Sequence, residues 1–214
     1  MIVIILNFLT LHFIMVIKRD GSQLYDNNNP KTNIVGTGYK DVETVKKTIK
    51  LISKRSIIYQ KSVMNTMYNR GKYNQNKTPD MIKAIKYIKQ WLTKNKNKKY
   101  KYEYLSLSTI KKYENLANKL DVSNVARGKS KATKTEKGFL VMYKKYGKAK
   151  LPFIPTFKTD PKRGDYDISR EKYLNARLAQ IKKGKIRMYD DNGEPTRMHL
   201  TLIMNAYSPD KKLY

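Results

Sequence analysis

The sequence predicts a mainly α-helical fold, with two small helical units joined by a lysine-rich linker and with irregular basic loops. Two observations favour helices: apolar residues recur at helical spacing, and capping residues precede several of those segments. A third observation, the amino-acid composition, favours a folded chain over a disordered one. A net charge of +29 approaches that of disordered chains, but 40% hydrophobic and 11% aromatic residues supply a core. We therefore expect folded helices connected by solvated basic loops.

An N-terminal unit of three helices is expected over residues 41–95. Asp41 is a good N-cap for a first helix that runs to about Lys54. A second helix begins near Ser56 and is expected to end at Gly71, because glycine readily adopts the left-handed conformation that stops helices. Both helices carry apolar residues on one side, which predicts that they pack together.

Thr78-Pro79-Asp80 predicts the start of a third helix, since it combines a capping threonine, proline at the first helical position and an acidic first turn. Trp91 lies beside the apolar face of this helix, and Lys83, Lys86 and Lys89 make another side basic. The predicted core positions of the three helices are Val42, Val45, Ile49 and Ile52, then Tyr59, Val63, Met64, Met67 and Tyr68, then Met81, Ile85, Ile88 and Leu92.

A basic linker, residues 96–104, is predicted to lead into a C-terminal helical basic domain, residues 105–208. Ser106 or Ser108 caps a fourth helix, with Ile110, Tyr113, Ala117 and Leu120 on its apolar side. A fifth carries Phe139, Met142, Tyr143 and Tyr146 and is closed by Gly147. These aromatic residues are at core spacing, which favours scaffold over ligand contact.

The remaining C-terminal pattern predicts two more helices. LPFIPTF is expected to be extended, because its two prolines exclude a central strand. Residues 160–167 are predicted to be a solvated turn, and Ser169 is predicted to cap a helix bearing Tyr173, Leu174, Leu178 and Ile181. Asn192-Gly193 marks a turn, and a last helix is expected over Thr196–Tyr207.

The first seventeen residues are apolar and carry no formal charge. As a helix they would span about 25 Å, just short of a bilayer core. Three interpretations stay open: a membrane anchor, a segment packed on the body, or a mis-assigned start with Met15 as the true first residue. Residues 18–40 are predicted to be an irregular arm, with a short strand at Thr32–Val35.

The charge balance indicates a polyanionic partner. Lys and Arg total 46 against 17 Asp and Glu, a field that attracts polyphosphates or anionic lipid surfaces. Cysteine is absent and only two histidines are present, which excludes disulfides, thiolate zinc sites and multi-histidine metal sites within the chain. We expect no cofactor and no metal site.

Four basic runs, three of them with adjacent tyrosines, predict nucleic-acid binding. Lysine is a point-charge phosphate binder, whereas arginine supplies bidentate base readout, so we expect affinity without sequence specificity. The predicted contact residues are Lys96, Lys98, Lys99, Lys101, Arg127, Lys129, Lys131, Lys134, Lys144, Lys145, Lys148, Lys182, Lys183, Lys185 and Arg187.

Catalytic residues are harder to identify, and we assign none. The acidic residues cluster in two loops: the first alternates with cations, as a solvated turn does, and the second, residues 190–194, lacks the spacing of a calcium-binding loop. A metal nuclease would have to assemble Asp165, Asp167 and Glu171 with Lys172, as many basic proteins would allow. His199 is expected on the flank of the last helix, without a nucleophile nearby.

Several short motifs resemble a family of uncharacterised basic proteins encoded by giant viruses, the large DNA viruses of protists and algae. The motifs are Ala126-Arg127-Gly128, Gly138-Phe139, Tyr143-Lys144-Lys145, Leu178-Ala179-Gln180 and Leu200–Pro209; Val63–Tyr73 with Met81–Leu92 is similar to a second element of such proteins. The resemblance implies a context, the virion or the viral factory in the host cytoplasm, and no catalytic residue.

The leading hypothesis is a non-enzymatic viral protein that binds nucleic acid without sequence specificity, with DNA favoured over RNA, in packaging or condensation. One alternative is a structural component of the capsid or membrane, with other virion proteins as partners and with residues 1–17 as its membrane contact. Another is a metal-dependent nuclease.

Overall fold

The computed structural model describes residues 34–122, 138–156, 160–162 and 164–209. Within these ranges the chain forms seven α-helices, one short 3-10 turn and no β-strand. The predicted mainly α-helical class is therefore confirmed. The helices are α1 Val42–Ile52, α2 Ile57–Lys72, α3 Pro79–Lys94, α4 Leu107–Lys119, α5 Phe139–Tyr146, α6 Tyr166–Gly184 and α7 Arg197–Ile203.

The first four helices begin at the capping residues that the sequence indicates. Asp41, Ser56, Thr78 and Ser106 each accept a hydrogen bond from the backbone N–H three residues later. Such a cap is worth about 1 kcal/mol, because it satisfies a donor that the helix itself leaves unpaired. Ser106, rather than Ser108, is the cap of α4.

The apolar faces of α1, α2 and α3 meet in one core cluster, as predicted. Ile49, Tyr68, Ile85, Trp91 and Leu92 are only partly buried. The fully buried members are Ile34, Tyr39, Val45, Ile52, Tyr59, Val63, Met64, Met67, Met81, Ala84 and Ile88.

The segment before α1 contributes to this core without forming a strand. Ile34 and Tyr39 are buried in the cluster, and the amide of Gly38 donates to the Thr48 hydroxyl at 2.9 Å. Of the strand predicted at Thr32–Val35, the described part is a loop and turn, so the strand prediction is wrong there.

Gly71 does not end α2, contrary to the prediction. The helix continues through Lys72, and Gly71 is buried within it against α3. A Cβ atom at this position would lie 2.7 Å from Cγ1 of Ile85, closer than real Cβ atoms approach. The glycine therefore allows two helices to approach closely, a role that local sequence does not distinguish from a helix stop.

The C-terminal helices enclose two further core clusters. One unites α4, α5 and α7 around Ile110, Phe139, Leu200 and Ile203. The other lies under α6 and consists of Tyr102, Leu174, Ile181, Met188 and Leu202.

The cap predicted for α6 is wrong by one turn of helix. Asp165, not Ser169, caps α6, and its Oδ1 accepts from the amide of Ile168 at 3.0 Å. Ser169 lies inside the helix, where its amide bonds to the carbonyl of Asp165.

The described part of LPFIPTF, residues 151–156, is also less extended than predicted. Leu151–Phe153 forms one 3-10 turn, and Pro155 then makes an isolated antiparallel bridge with Asp165. The segment thus turns back towards the start of α6.

The last helix is shorter than predicted, because α7 ends at Ile203 instead of Tyr207. Pro209 has no N–H, so a continuing helix would leave the carbonyl of Asn205 without its partner. The chain turns instead through Ala206, at φ +56°, whose carbonyl accepts from the amide of Leu105 at 2.8 Å.

None of the described helices is both long and apolar enough to cross a membrane. The predicted apolar leader, residues 1–17, lies outside the described ranges, as does most of the arm predicted over 18–40. The basic loop Ala126–Lys137 lies outside them as well.

Candidate nucleic-acid interface

The first predicted basic run is held against α2 through its backbone. The Lys61 ammonium donates hydrogen bonds of 2.7 Å to the carbonyls of both Lys96 and Lys98. Asn95, at the end of α3, is buried and donates to the Trp91 carbonyl at 2.8 Å. The backbone of the run is therefore fixed, while its lysine side chains remain exposed to solvent.

The far end of the same run is attached to α6. The Lys101 ammonium and the Tyr102 hydroxyl both donate to Oδ1 of Asn175, at 2.9 and 2.6 Å. Tyr102 is buried and packs edge-on against Tyr207, with ring centroids 5.0 Å apart. The predicted linker, which joins α3 to α4 in the chain, is thus a structured segment that contacts α2 at one end and α6 at the other.

The side of α6 that receives this attachment also carries basic residues. Lys182 follows Asn175 by seven residues, which places both on the same side of the helix about 10 Å apart. Lys172 precedes Asn175 by three residues and belongs to the same side. We call the resulting group the linker–α6 surface; its members are Lys96, Lys98, Lys99, Lys101, Lys172, Lys182 and Lys183.

The structure distributes the other predicted contact residues over separate elements. Lys144 and Lys145 lie in the last turn of α5, and Lys148 follows in the next turn. Lys185 caps α6 in the left-handed conformation, followed by Arg187. Arg127, Lys129, Lys131 and Lys134 lie outside the described residues.

Carboxylates neutralise few of the described cations. Within the described ranges no carboxylate oxygen lies within 4 Å of the amines of Lys96, Lys98 or Lys99. Exposed ion pairs contribute about 0–1 kcal/mol, so a phosphate can replace such a partner. The surface pairs present there are Lys46–Glu43, Lys83–Asp80, Lys144–Glu114 and Arg187–Asp191.

Two acidic residues of the C-terminal region are buried, each beside a buried arginine. Asp165 and Asp167 are buried, so the solvated turn predicted for residues 160–167 is wrong at its end. Oδ2 of Asp165 accepts from Nε of Arg55 at 3.2 Å and from the amide of Ser56 at 2.7 Å. Burial raises the pKa of Asp165, and the amides of Ser56 and Ile168, together with the Arg55 charge, oppose that rise.

Arg55 is itself buried, with its guanidinium 3.8 Å from the ring centre of Tyr59. Its other nitrogens donate to the carbonyls of Pro161 and Pro152, at 2.9 and 3.2 Å. Asp165, which the nuclease alternative would need as a metal ligand, is therefore bound to an arginine. Within the described ranges no three His, Cys, Asp or Glu residues are grouped to hold a metal ion.

A second buried arginine, Arg170, organises the centre of the C-terminal region. Its guanidinium lies 3.8 Å from the ring centre of Tyr104, whose hydroxyl donates to Oδ1 of Asp167. The guanidinium donates to four backbone carbonyls at 2.8–3.0 Å, those of Asn205, Tyr102, Glu103 and Ala206.

Asp167 is the less satisfied of the two buried carboxyl groups. Its Oδ2 has no hydrogen-bond partner among the described residues. Burial raises the pKa of Asp167 from 3.8 to about 7; the Arg170 charge lowers it and Glu171 raises it further. Burial likewise raises the pKa of Tyr104, which keeps the phenol a donor to this carboxyl group.

Replacing Asp167 with asparagine is expected to change how stability depends on pH. Because the folded state holds the proton more tightly, this group costs the wild type stability as pH rises from about 4 to about 7. The full cost is roughly 4 kcal/mol, and asparagine removes the ionisation. Urea unfolding at pH 4.5 and pH 8 should show the variant gaining much more on the wild type at the higher pH.

Glu194→Gln is the matched control, since this exposed carboxyl lies in the turn after α6. As an exposed substitution it should change the free energy of unfolding by less than about 0.5 kcal/mol. An Asp167→Asn variant that is equally destabilised at pH 4.5 and pH 8 would contradict the raised pKa.

His199 is a core residue and not the helix-flank histidine that the sequence predicts. Its ring nitrogens lie 3.1 Å from the Met188 carbonyl and 2.8 Å from the Ser208 hydroxyl. Burial lowers its pKa. It therefore connects α7 with the segments on either side.

The residues that position the candidate interface were not predicted from the sequence. Lys61 is one of 37 lysines, and Asn175 is an exposed amide, so neither carries a local signal. The buried arginines do leave one signal, since the chain has only nine arginines among its 46 basic residues. A lysine-rich chain that keeps arginine at a position suggests a need for its planar, multiple donors.

Comparison of the chain with protein-family models, with curated proteins and with solved structures finds no match in any of the three.

Proposed function

We propose that this protein binds nucleic acid without sequence specificity, as a non-enzymatic component, through the linker–α6 surface. The observation that carries the proposal is the run Lys96–Lys101. Lys61 holds two of its backbone carbonyls and Asn175 holds the Lys101 side chain, while the amines of Lys96, Lys98 and Lys99 have no carboxylate partner among the described residues. A fixed backbone lowers the entropy lost when such side chains bind phosphates.

The chemistry of the surface favours phosphate contact over base recognition. All seven members of the linker–α6 surface are lysines, which act as point charges on the sugar–phosphate backbone. Their number also supports binding by counterion release, which makes affinity fall steeply with salt. DNA is the proposed partner ahead of RNA, and packaging or condensation the proposed role.

The test is a binding measurement on random duplex DNA across a salt series. The triple variant Lys96→Ala, Lys98→Ala, Lys99→Ala should lower the slope of log K against log salt by about 2–3, at about 0.9 for each phosphate that the variant no longer neutralises. The matched control removes three exposed lysines of α1, Lys46, Lys47 and Lys50, and should lower it by less than 1.

Two outcomes would contradict the proposal. One is the absence of binding by the wild type at low salt, and the other is binding that depends on a particular sequence. Equal slopes for the two triple variants would instead move the interface away from the linker–α6 surface.

The proposal also includes the division into two helical units, the viral family and the location in the infected cell. We propose that residues 41–95 and 105–208 act as two helical units joined by the lysine-rich segment 96–104. Membership of the giant-virus family, and a location in the virion or in the viral factory, rest on the sequence resemblance. Identifying what co-purifies with the native protein, before and after nuclease treatment, tests the partner and the context together.

A further inference from the structure

A groove of about 590 Å³ lies between the second half of α6, the turn that follows it and α7. Three arginines line it: Arg177 from α6, Arg187 from the turn, and Arg197 at the start of α7. Its volume lies in the range of sites that hold small organic ligands or single nucleotides. Only Arg187 belongs to the predicted contact residues.

The concentration of arginine here is informative. Of the nine arginines in the chain, Arg55 and Arg170 are buried and bind carbonyls and carboxylates within the fold. Three of the remaining seven line this one groove. Arginine differs from lysine in presenting a planar fork that binds phosphate through two donors and stacks on aromatic rings.

The arginines of the groove have weak partners or none. Arg187 pairs with Asp191, with both side chains mostly exposed, and Arg177 donates to the amide oxygen of Gln180. Among the described residues Arg197 has no side-chain hydrogen bond or ion pair. Arg177 also lies 5.2 Å from the ring centre of Tyr173, so the guanidinium groups of Arg187 and Arg197 are the more available to a ligand.

The groove also has apolar residues at its bottom, and the protein core supports them. Ile186 and Met198 line it and pack against the core cluster under α6. The turn between them is braced, because the Thr196 hydroxyl donates to the Arg187 carbonyl at 2.9 Å. An apolar surface surrounded by guanidinium groups suits a ligand with a flat ring and a phosphate.

We infer that this groove binds one unpaired nucleotide of a single-stranded nucleic acid. The base lies on Ile186 and Met198 and stacks on a guanidinium plane, and the adjoining phosphates contact the remaining arginines. This inference rests on the proposed function and adds a specificity to it. Duplex bases are already stacked on their neighbours, so a duplex offers the groove only phosphates.

The inference is tested by comparing single-stranded and duplex DNA. Fluorescence anisotropy with a labelled oligothymidylate and a duplex of equal length gives both affinities at one salt concentration. The double variant Arg187→Lys, Arg197→Lys keeps the charge but loses the planar fork. We expect about a tenfold loss of affinity for the single strand and less than a twofold loss for the duplex.

The matched control is Arg70→Lys, an exposed arginine at the end of α2, outside the groove. It should leave both affinities within twofold. Asp191→Asn removes the carboxylate that competes for Arg187 and should strengthen single-strand binding. Photo-crosslinking of the wild type to an oligonucleotide with 4-thiothymidine should label peptides within residues 177–201.

The outcomes separate the two proposals. One outcome is that the wild type binds both nucleic acids while the double variant loses affinity for both equally, or for neither. In that case the groove is not a nucleotide site and the proposed function stands. Crosslinks confined to other segments overturn the groove in the same way. If the wild type binds neither at low salt, both proposals fail.

Discussion

Replacing Arg170 with alanine is expected to cost about 4 kcal/mol or more of folding free energy, the largest loss we expect from one side chain. Its guanidinium serves four backbone carbonyls and lies over the ring of Tyr104. Alanine would leave the buried carbonyls of Asn205 and Tyr102 without this donor, at about 1–3 kcal/mol each, in addition to the lost contact with the ring. Whole domains are stable by only about 5–15 kcal/mol, so the variant should be close to unfolding.

Urea unfolding followed by circular dichroism measures this loss, with Lys172→Ala as the matched control. Lys172 is exposed on the same helix and should change stability by less than about 0.5 kcal/mol. Arg170→Lys keeps the charge and should remain strongly destabilised, since one ammonium cannot span the carbonyls. A Lys variant as stable as wild type would refute the need for several donors.

Replacing Arg55 with alanine is expected to destabilise the protein by about 3–5 kcal/mol. The change leaves the carboxylate of Asp165 buried without its counter-charge, and breaking a buried ion pair from one side carries a cost of this size. Thermal unfolding measures it, and Lys54→Ala at the preceding exposed position is the control.

Arg55→Ala combined with Asp165→Asn separates the charge from the packing. Asparagine keeps an oxygen for the cap of α6 and carries no charge, but its NH2 group replaces the oxygen that accepts from the Ser56 amide. The double variant should therefore recover only part of the loss. A double variant whose loss equals the sum of the two single losses would show that the two side chains are not energetically coupled.

The sequence predicted those parts of the fold that short-range chemistry controls. Asp41, Ser56 and Thr78 cap their helices because the capped amide is three residues away in the chain. The buried faces of α1 to α3 follow from spacing along each helix, so they too could be predicted. The class of fold follows from these local signals.

The failures occur where distant residues decide between equal local choices. Asp165 and Ser169 are both good caps, and the partner of Asp165, Arg55, lies 110 positions away. Gly71 is equally suited to a helix stop and to a close helix contact, and only its packing on Ile85 decides.

The candidate interface divides in the same way. The basic runs could be read from composition, but nothing local identifies Lys61 and Asn175 as the residues that hold Lys96–Lys101 in place. The groove could not be predicted at all, since Arg177 and Arg197 are twenty positions apart and meet only after α7 folds beside α6. Isolated arginines on two separate helices carry no pattern.

The sequence separation of Arg55 and Asp165 delays the formation of their ion pair during translation. With 110 positions between them, and with translation at about 5–20 residues per second, Arg55 is made about 5–20 s before its partner carboxylate. Until then the turn between α1 and α2 has no counter-ion to bury and must stay hydrated. The three N-terminal helices can form early, but this corner of their packing is completed only after α6 has begun to emerge from the ribosome.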